Sequence, residues 1–184
     1  MLVGGIDMLN KIKAKIRGTI DLDRLKKDGL VYGKNFHAQE GTIIDPGHCW
    51  LIEIGDNVTL APRVHILAHD ASTKIPLGYT KIGRVTIGSN VFIGAGSIIM
   101  PNVKIGDNVI IGAMSLVTRD ILSGGVYAGN PCARISDYDE WIAKHHDRMN
   151  KSKVYDKTYT IGNISNDQKQ NMKRELESRI GYVE

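Results

Sequence analysis

Between Ile87 and Ile121 an aliphatic residue returns at every sixth position: Ile87, Ile93, Ile99, Ile105, Ile111 and Val117. Gly follows at Gly88, Gly94, Gly106 and Gly112. A small or β-branched residue stands four places after each aliphatic, at Val91, Ser97, Val103, Val109, Ser115 and Ile121. A period of six matches neither the 3.6 of an α-helix nor the alternation of a plain strand. It matches a β-helix repeat, one short strand plus one corner per unit. The aliphatic residue and the residue four on point into a narrow core. Gly suits the step after the strand, where the backbone needs freedom or close approach. One unit cannot bury its own apolar side, so units must stack. A second period gives the size of a coil. Gly-x-Asn occurs at Gly88–Asn90 and again at Gly106–Asn108, eighteen residues apart. Three hexapeptides therefore make one three-sided coil, with Asn at a corner because it tolerates φ > 0. Successive coils are expected about 4.8 Å apart.

Counting in sixes also locates where the regularity fails. Tyr32, Ala38 and Ile44 are in phase, and Gly33-Lys34-Asn35 supplies the corner. The next unit starts at Ile54, so about four extra residues lie within Asp45–Trp50. Leu60 and Ile66 continue the count, and the next in-phase residue is Ile87. About fifteen residues are thus expected to leave the coils between His69 and Arg84 as an extended loop, and such interruptions are often functional. Residues 1–29 are read as an N-terminal helical cap. Met8, Leu9, Ile12 and Ile16 have amphipathic spacing, and Asp21 and Gly29 bracket a short helix. Residues 30–135 form the β-helix with its ejected loop at about 69–84. Residues 136–184 are a polar tail, helical over 137–150 and 167–180 and irregular over 151–163, expected to act as a lid or docking arm. The fold class is all-β repeat, a parallel β-helix with short helices at both ends.

Composition narrows the function classes. The chain has 184 residues, suiting one principal domain, and its 20 Gly are explained by corners. A net charge of +4 favours an anionic ligand but is too modest for nucleic acid, and no basic-aromatic interleaving occurs. Cys49 and Cys132 form no C-x-x-C pair and no disulfide framework. There is no secretory leader pattern and no apolar run of about 18 residues, so a cytoplasmic protein without membrane insertion is expected.

The repeats, the Gly-Asn-Pro-Cys-Ala-Arg segment at 129–134 and Ala68-His69-Asp70 ahead of the loop resemble the hexapeptide acyltransferases. The nearest in pattern are the galactoside/maltose O-acetyltransferases and the O-acetyltransferases of capsule and lipopolysaccharide synthesis. The resemblance covers residues 31–135. It implies a left-handed β-helix, an exception to the right-handed crossover rule, and a homotrimer with three active sites between adjacent prisms. It implies acetyl-CoA as co-substrate, a carbohydrate hydroxyl as acceptor, no metal requirement, and His69 as general base. A neutral imidazole is suited to taking the hydroxyl proton as oxygen attacks the thioester, so neither cysteine need be a nucleophile. The family pattern also places Asp45, Gln39 and Phe92 at the acceptor. It places Ala95, Ala113 and Thr118 along the pantetheine arm, with Arg119 and Arg134 at the coenzyme A phosphates. The short segment before the repeats favours a polysaccharide precursor or nucleotide sugar over a free disaccharide.

Trp50, in the corner insertion, adds a planar aromatic suited to a sugar face or, equally, to packing against a neighbouring subunit. His37 and His48 are read as surface residues that could also line the acceptor pocket from a neighbouring coil, and the pair His145-His146 as tail residues without a chemical role. The residues leave rival readings open. Serine, an amino sugar or an antibiotic could be the acceptor. The same scaffold could host a γ-carbonic-anhydrase-like zinc enzyme, which would need His37, His65 and His69 to converge between subunits. It could also be a non-catalytic trimeric scaffold.

Overall fold

In the computed structural model, residues 20–184 are described. The amphipathic segment at Met8–Ile16 and most of the expected 1–29 cap lie outside them. The chain divides into two compact units, the first ending at Tyr138 and the second running from Asp139 to Glu184.

The first unit is a parallel β-helix with three faces. The first face stacks Val31–Tyr32, Ile52–Ile54, Val85–Ile87 and Lys104–Ile105. The second stacks His37–Ala38, Val58–Leu60, Val91–Ile93, Val109–Ile111 and Gly125–Ala128. The third stacks Ile43–Ile44, His65–Ile66, Ile98–Ile99 and Leu116–Val117. Every pairing among these strands is parallel and in the phase of the repeat: Ile44 opposes Ile66, Ile66 opposes Ile99, and Ile99 opposes Val117. The in-phase residues from Ile44 through Val117 are buried and fill the core in thin layers.

A polar ladder on one corner records the length of each coil. Asn35 donates to Asn57 at 2.9 Å, Asn57 to Asn90 at 2.9 Å, and Asn90 to Asn108 at 3.0 Å, over separations of 22, 33 and 18 residues. All four have φ between 53° and 57°. The two longer steps are the corner insertion and the ejected loop. Both extra segments leave at the same corner, between the third face and the first, from consecutive coils.

Glycine's role in the repeat is close approach. A Cβ on Gly94 would lie 2.4 Å from the backbone nitrogen of Ala113 and 2.7 Å from the carbonyl carbon of Gly112. These are backbone atoms of the next coil and cannot swing aside. Gly94→Ala is therefore expected to destabilise the fold by about 1–3 kcal/mol, as overpacking does. That lowers Tm by several degrees in a thermal melt, on the usual scaling of roughly 2–4 °C per kcal/mol at this size.

Both ends of the coil stack are closed. Helix Leu22–Lys27 is N-capped by Asp21, which accepts from the Arg24 N–H at 3.0 Å. Leu25 and Leu30, 6% and 2% exposed, plug the first coil. The buried Cys49 thiol ties this helix down by donating to the carbonyls of Leu25 and Asp28. At the other end, Ala133–Asp137 pairs antiparallel to Gly125–Ala128, which ends the parallel stacking.

The second unit contains more order than its polarity suggests. Most of helix Tyr138–Asn150, from Asp139 onward, lies in it, and helix Asn166–Glu175 starts with a reciprocal Ser165/Gln168 capping box. The stretch 151–163, expected to be irregular, carries strand Lys153–Tyr155, which pairs parallel with Gly181–Val183. Tyr155, 3% exposed, anchors this unit and donates to Glu175 at 2.9 Å.

Candidate active site

The shared corner of the two extra segments brings chemistry together. Asp45 follows Ile44 as the chain leaves the third face, and its N–H donates to the Ile66 carbonyl at 2.9 Å. One coil later, Ala68 and His69 leave at the same corner. The Asp45 carboxylate is 1% exposed. Its Oδ1 accepts from the N–H of Gly47 at 3.0 Å and of His48 at 3.2 Å, an Asx-type turn that shapes the insertion. Its Oδ2 accepts from the N–H of Ala68 at 2.9 Å and is hydrogen-bonded to Nδ1 of His69. Burial works to raise this carboxyl's pKa. The His69 hydrogen bond and the N–H groups of Ala68 and Gly47 outweigh it and hold the group below the ordinary carboxylate range.

An ionised carboxylate only accepts, so Nδ1 is the protonated nitrogen of a neutral His69 and Nε2 carries the lone pair. The His69 side chain is 38% exposed, which leaves that face of the ring accessible. The backbone at His69 is fixed as well. His69–Asp70 forms an antiparallel pair with Lys81–Ile82, and the Gly83 N–H closes onto the Ala68 carbonyl at 2.9 Å. Across the base of the loop Lys81 Nζ meets Asp70 Oδ2 at 2.7 Å. Lys81, then the Ser72 backbone and side chain, lower the Asp70 carboxyl to about 2. A folded-state value below the unfolded one means stability that is present above about pH 4. It is lost as the pH falls towards about 2. Over that interval Asp70→Asn is expected to flatten the fall in Tm relative to the parent chain, as measured by melts at stepped pH.

Two more aromatic rings line the same corner. His48 lies with its ring centroid 5.1 Å from that of His69 and 5.3 Å from that of Trp50. Trp50 is 55% exposed, a flat apolar surface at the edge of the site. Cys49 between them is buried, and burial, then the Asp28 charge, pushes its thiol pKa up. Burial does the same for Cys132. Both are thiols at neutral pH, poorly suited to nucleophilic attack.

The structure thus gathers Asp45, Trp50 and His69 at one corner and adds His48, read from sequence as a surface residue. Asp45 sits behind His69, with both oxygens engaged. The other sequence candidates stand elsewhere on the single prism. Gln39, exposed, and Ala95 and Ala113 follow strands of the second face and line the corner between the second and third faces. Phe92, 44% exposed, points outward from the second face between Thr59 and Ile110. Thr118 and Arg119 follow Val117 on the His69 side of the third face, both exposed. Arg134 is paired with Asp137 at 2.6 Å. His37 and His65 lie on different faces, the second and the third, so within one chain neither joins His69. The phase count carried the signal for the Asp45–His69 meeting. Asp45 and Leu67 both directly follow paired core residues, Ile44 and Ile66.

Residues 84–119 match the family model described as bacterial transferase hexapeptide (six repeats). The chain is 44% identical over 99 residues to Protein CapG of Staphylococcus aureus, covering 52% of this chain and 58% of CapG. It is 40% identical over 115 residues to the galactoside O-acetyltransferase of Escherichia coli K12, covering 59% of this chain and 54% of that enzyme. The chain therefore spans little more than half the length of these curated relatives. Among solved structures, a maltose O-acetyltransferase from Clostridium difficile 630 superposes with a TM-score of 0.51 at 32% identity, over 71% of this chain and 84% of that one. With the repeat, the three-faced coil and this coverage in agreement, the chain belongs to the hexapeptide-repeat acyltransferases and has their left-handed parallel β-helix fold.

Proposed function

We propose that this protein is a coenzyme A-dependent O-acetyltransferase that moves acetyl from acetyl-CoA to a carbohydrate hydroxyl by direct transfer, with His69 as general base. The observation that carries this reading is the buried Asp45 carboxylate bound to Nδ1 of His69, which leaves Nε2 as an accessible base. A carbohydrate acceptor is supported by the relatives named galactoside and maltose O-acetyltransferases, and by the exposed Trp50 ring beside the site. A surface-polysaccharide precursor is the acceptor class we favour, and a coenzyme A thioester as donor sets the reaction in the cytoplasm.

In the reaction, Nε2 of His69 takes the proton of the acceptor hydroxyl as its oxygen forms a C–O bond to the thioester carbonyl carbon. Asp45 stabilises the imidazolium so formed and keeps the ring in place, as an oriented carboxylate does in other His-based sites. The tetrahedral intermediate collapses with cleavage of the C–S bond. The proton on Nε2 passes to the departing sulfur, giving free coenzyme A and the acetyl ester. No metal takes part.

A homotrimer accounts for the scatter of the remaining candidates. Ala95 and Ala113 line one edge of the third face and Thr118 and Arg119 the other, so one prism cannot bring them to a single ligand. A groove between two copies can, with one edge from each, and it would admit a thin pantetheine arm against the small side chains. Arg119 would meet the phosphates. Arg134 would do so only by exchanging Asp137. The loop tip carries Ile75, Leu77 and Tyr79, exposed by 97%, 65% and 79%, an apolar surface that a neighbouring subunit would cover. The test is an acceptor screen that follows free thiol release from acetyl-CoA, with oligomeric mass measured on the same sample. Acceptor-dependent release by a trimer supports the reading. Failure of coenzyme A to raise the melting temperature would overturn it, since a ligand of the folded state must stabilise it.

A further inference from the structure

His48 is left unexplained by the acetyl-transfer reading. Its Nδ1 is buried and has no hydrogen-bond partner among the described residues. The nearest opposite charge, Asp45 Oδ1, is 3.9 Å away, beyond hydrogen-bond reach. A lone pair on that ring nitrogen would face the Asp45 carboxylate, an arrangement that a cation between the two makes favourable.

We propose that Asp45, His48 and His69 form a binding site for a divalent transition-metal ion of the zinc type, and that its occupancy switches His69 off. The donor atoms of the three residues lie within 4.8 Å of one another. Both imidazoles turn Nδ1 towards the same carboxylate. Two imidazole nitrogens and one carboxylate oxygen are a common zinc donor set, with a fourth position left to water. Bonds of about 2.0–2.2 Å to a tetrahedral ion need donor atoms roughly 3.3 Å apart. The donor atoms, now up to 4.8 Å apart, have to draw in by as much as about 1.5 Å, and the His69–Asp45 contact has to open. Asp45 is the fixed point, held by three backbone N–H groups. The two rings are the parts with room to adjust, with side chains 29% and 38% exposed.

The consequence for catalysis follows from proton accounting and rests on the reading of His69 as base. A metal ion takes the Nδ1 lone pair of a neutral imidazole, so the ring proton moves from Nδ1 to Nε2. His69 stays neutral, and Nε2 becomes a donor with no lone pair. It can no longer accept the proton of an acceptor hydroxyl. Zinc is therefore expected to inhibit acetyl transfer without displacing acetyl-CoA.

The experiment uses tag-free, metal-stripped full-length protein and zinc alone as the probe. Zinc per chain is measured by elemental analysis after dialysis, and affinity by titration calorimetry. The parent chain is compared with His48→Gln and with His37→Gln, whose exposed histidine lies on another face. One zinc per chain is expected in the parent and in His37→Gln, with affinity at least about tenfold weaker in His48→Gln. Acetyl transfer, normalised to each protein's own zinc-free rate, should fall at the zinc concentration that fills the site and recover with a chelator. In His48→Gln at least about ten times more zinc should be needed. Sub-stoichiometric zinc, or equal weakening in the two variants, would overturn the site. One zinc held through His48 with transfer unaffected would leave the site standing and bring down the general-base reading instead.

Discussion

His69→Ala is expected to lower kcat for acetyl transfer by about 10²–10⁴-fold, the usual share of a general base, while the coils and the melting temperature stay close to those of the parent. The geometry gives the reason for both halves. The lost group is the only ring nitrogen that pairs an ordered Nδ1–H···carboxylate bond with an accessible second nitrogen, among the described residues. His48 is not equipped to substitute, because its Nδ1 has no partner among the described residues to set its tautomer. The fold tolerates the change because Asp45 keeps three N–H donors, from Gly47, His48 and Ala68, and so does not become a bare buried charge. Steady-state rates with saturating acetyl-CoA, read beside a melt and a sizing run, measure it. Turnover within a few-fold of the parent would remove His69 from the chemistry.

Asp45→Asn is expected to be nearly as damaging to rate and more damaging to stability. An amide has one acceptor oxygen, whereas the site aims donors at both positions: Gly47 and His48 at one, Ala68 and His69 at the other. Whichever way the amide turns, its NH2 faces backbone N–H groups. Leaving such groups buried and unpaired costs about 1–3 kcal/mol. If the NH2 faces His69, Nδ1 must become the acceptor and the proton moves to Nε2, so the base is lost by tautomer as well as by charge. A rate loss of about 10²–10⁴-fold with a Tm several degrees lower is expected. Full rate with unchanged stability would show that Asp45 neither orients His69 nor holds the corner. The parent chain carries the same linkage in its pH dependence. The Asp45 carboxyl is lowered in the fold, so its contribution is complete above about pH 4. It drains away as acid protonates it below that.

The repeat was readable because its physics is local. Each coil is so thin that its inward positions take aliphatic side chains or small ones such as Ser97 and Ser115, whose hydroxyls bond the Gly112 carbonyl, so the spacing of Ile and Val reports the stacking directly. The same count yields the two interruptions, and the ladder steps of 22 and 33 residues agree with them. The site was half legible. His69 came from a family pattern. That Asp45 supports His69 follows from both residues leaving one corner on adjacent coils, which phase alone implies. That Thr118 lies across the third face from Ala95 and Ala113 was equally implicit, since one follows Val117 and the others follow Ile93 and Ile111 of the second face. The meeting of His48 with Asp45 and His69 was not legible. His48 sits on an irregular turn shaped by a side-chain bond from Asp45, where periodicity carries no information. The pairing of Lys153–Tyr155 with Gly181–Val183 escaped for a related reason: three-residue strands are too short to show alternation.

The placement of both extra segments at a single corner has an implication for how such a molecule can change. The Asn ladder closes over a step of 33 residues as well as over one of 18, with bonds of 2.9 Å and 3.0 Å. Residues added at that edge leave the strands on either side of it paired in register. The corner acts as a docking port into which peptide of different length can be spliced, while the stack below keeps its alignment. Recognition can then diversify on a chassis whose folding does not have to be renegotiated each time, and a loop transplanted between members at this port should alter acceptor choice before it alters stability.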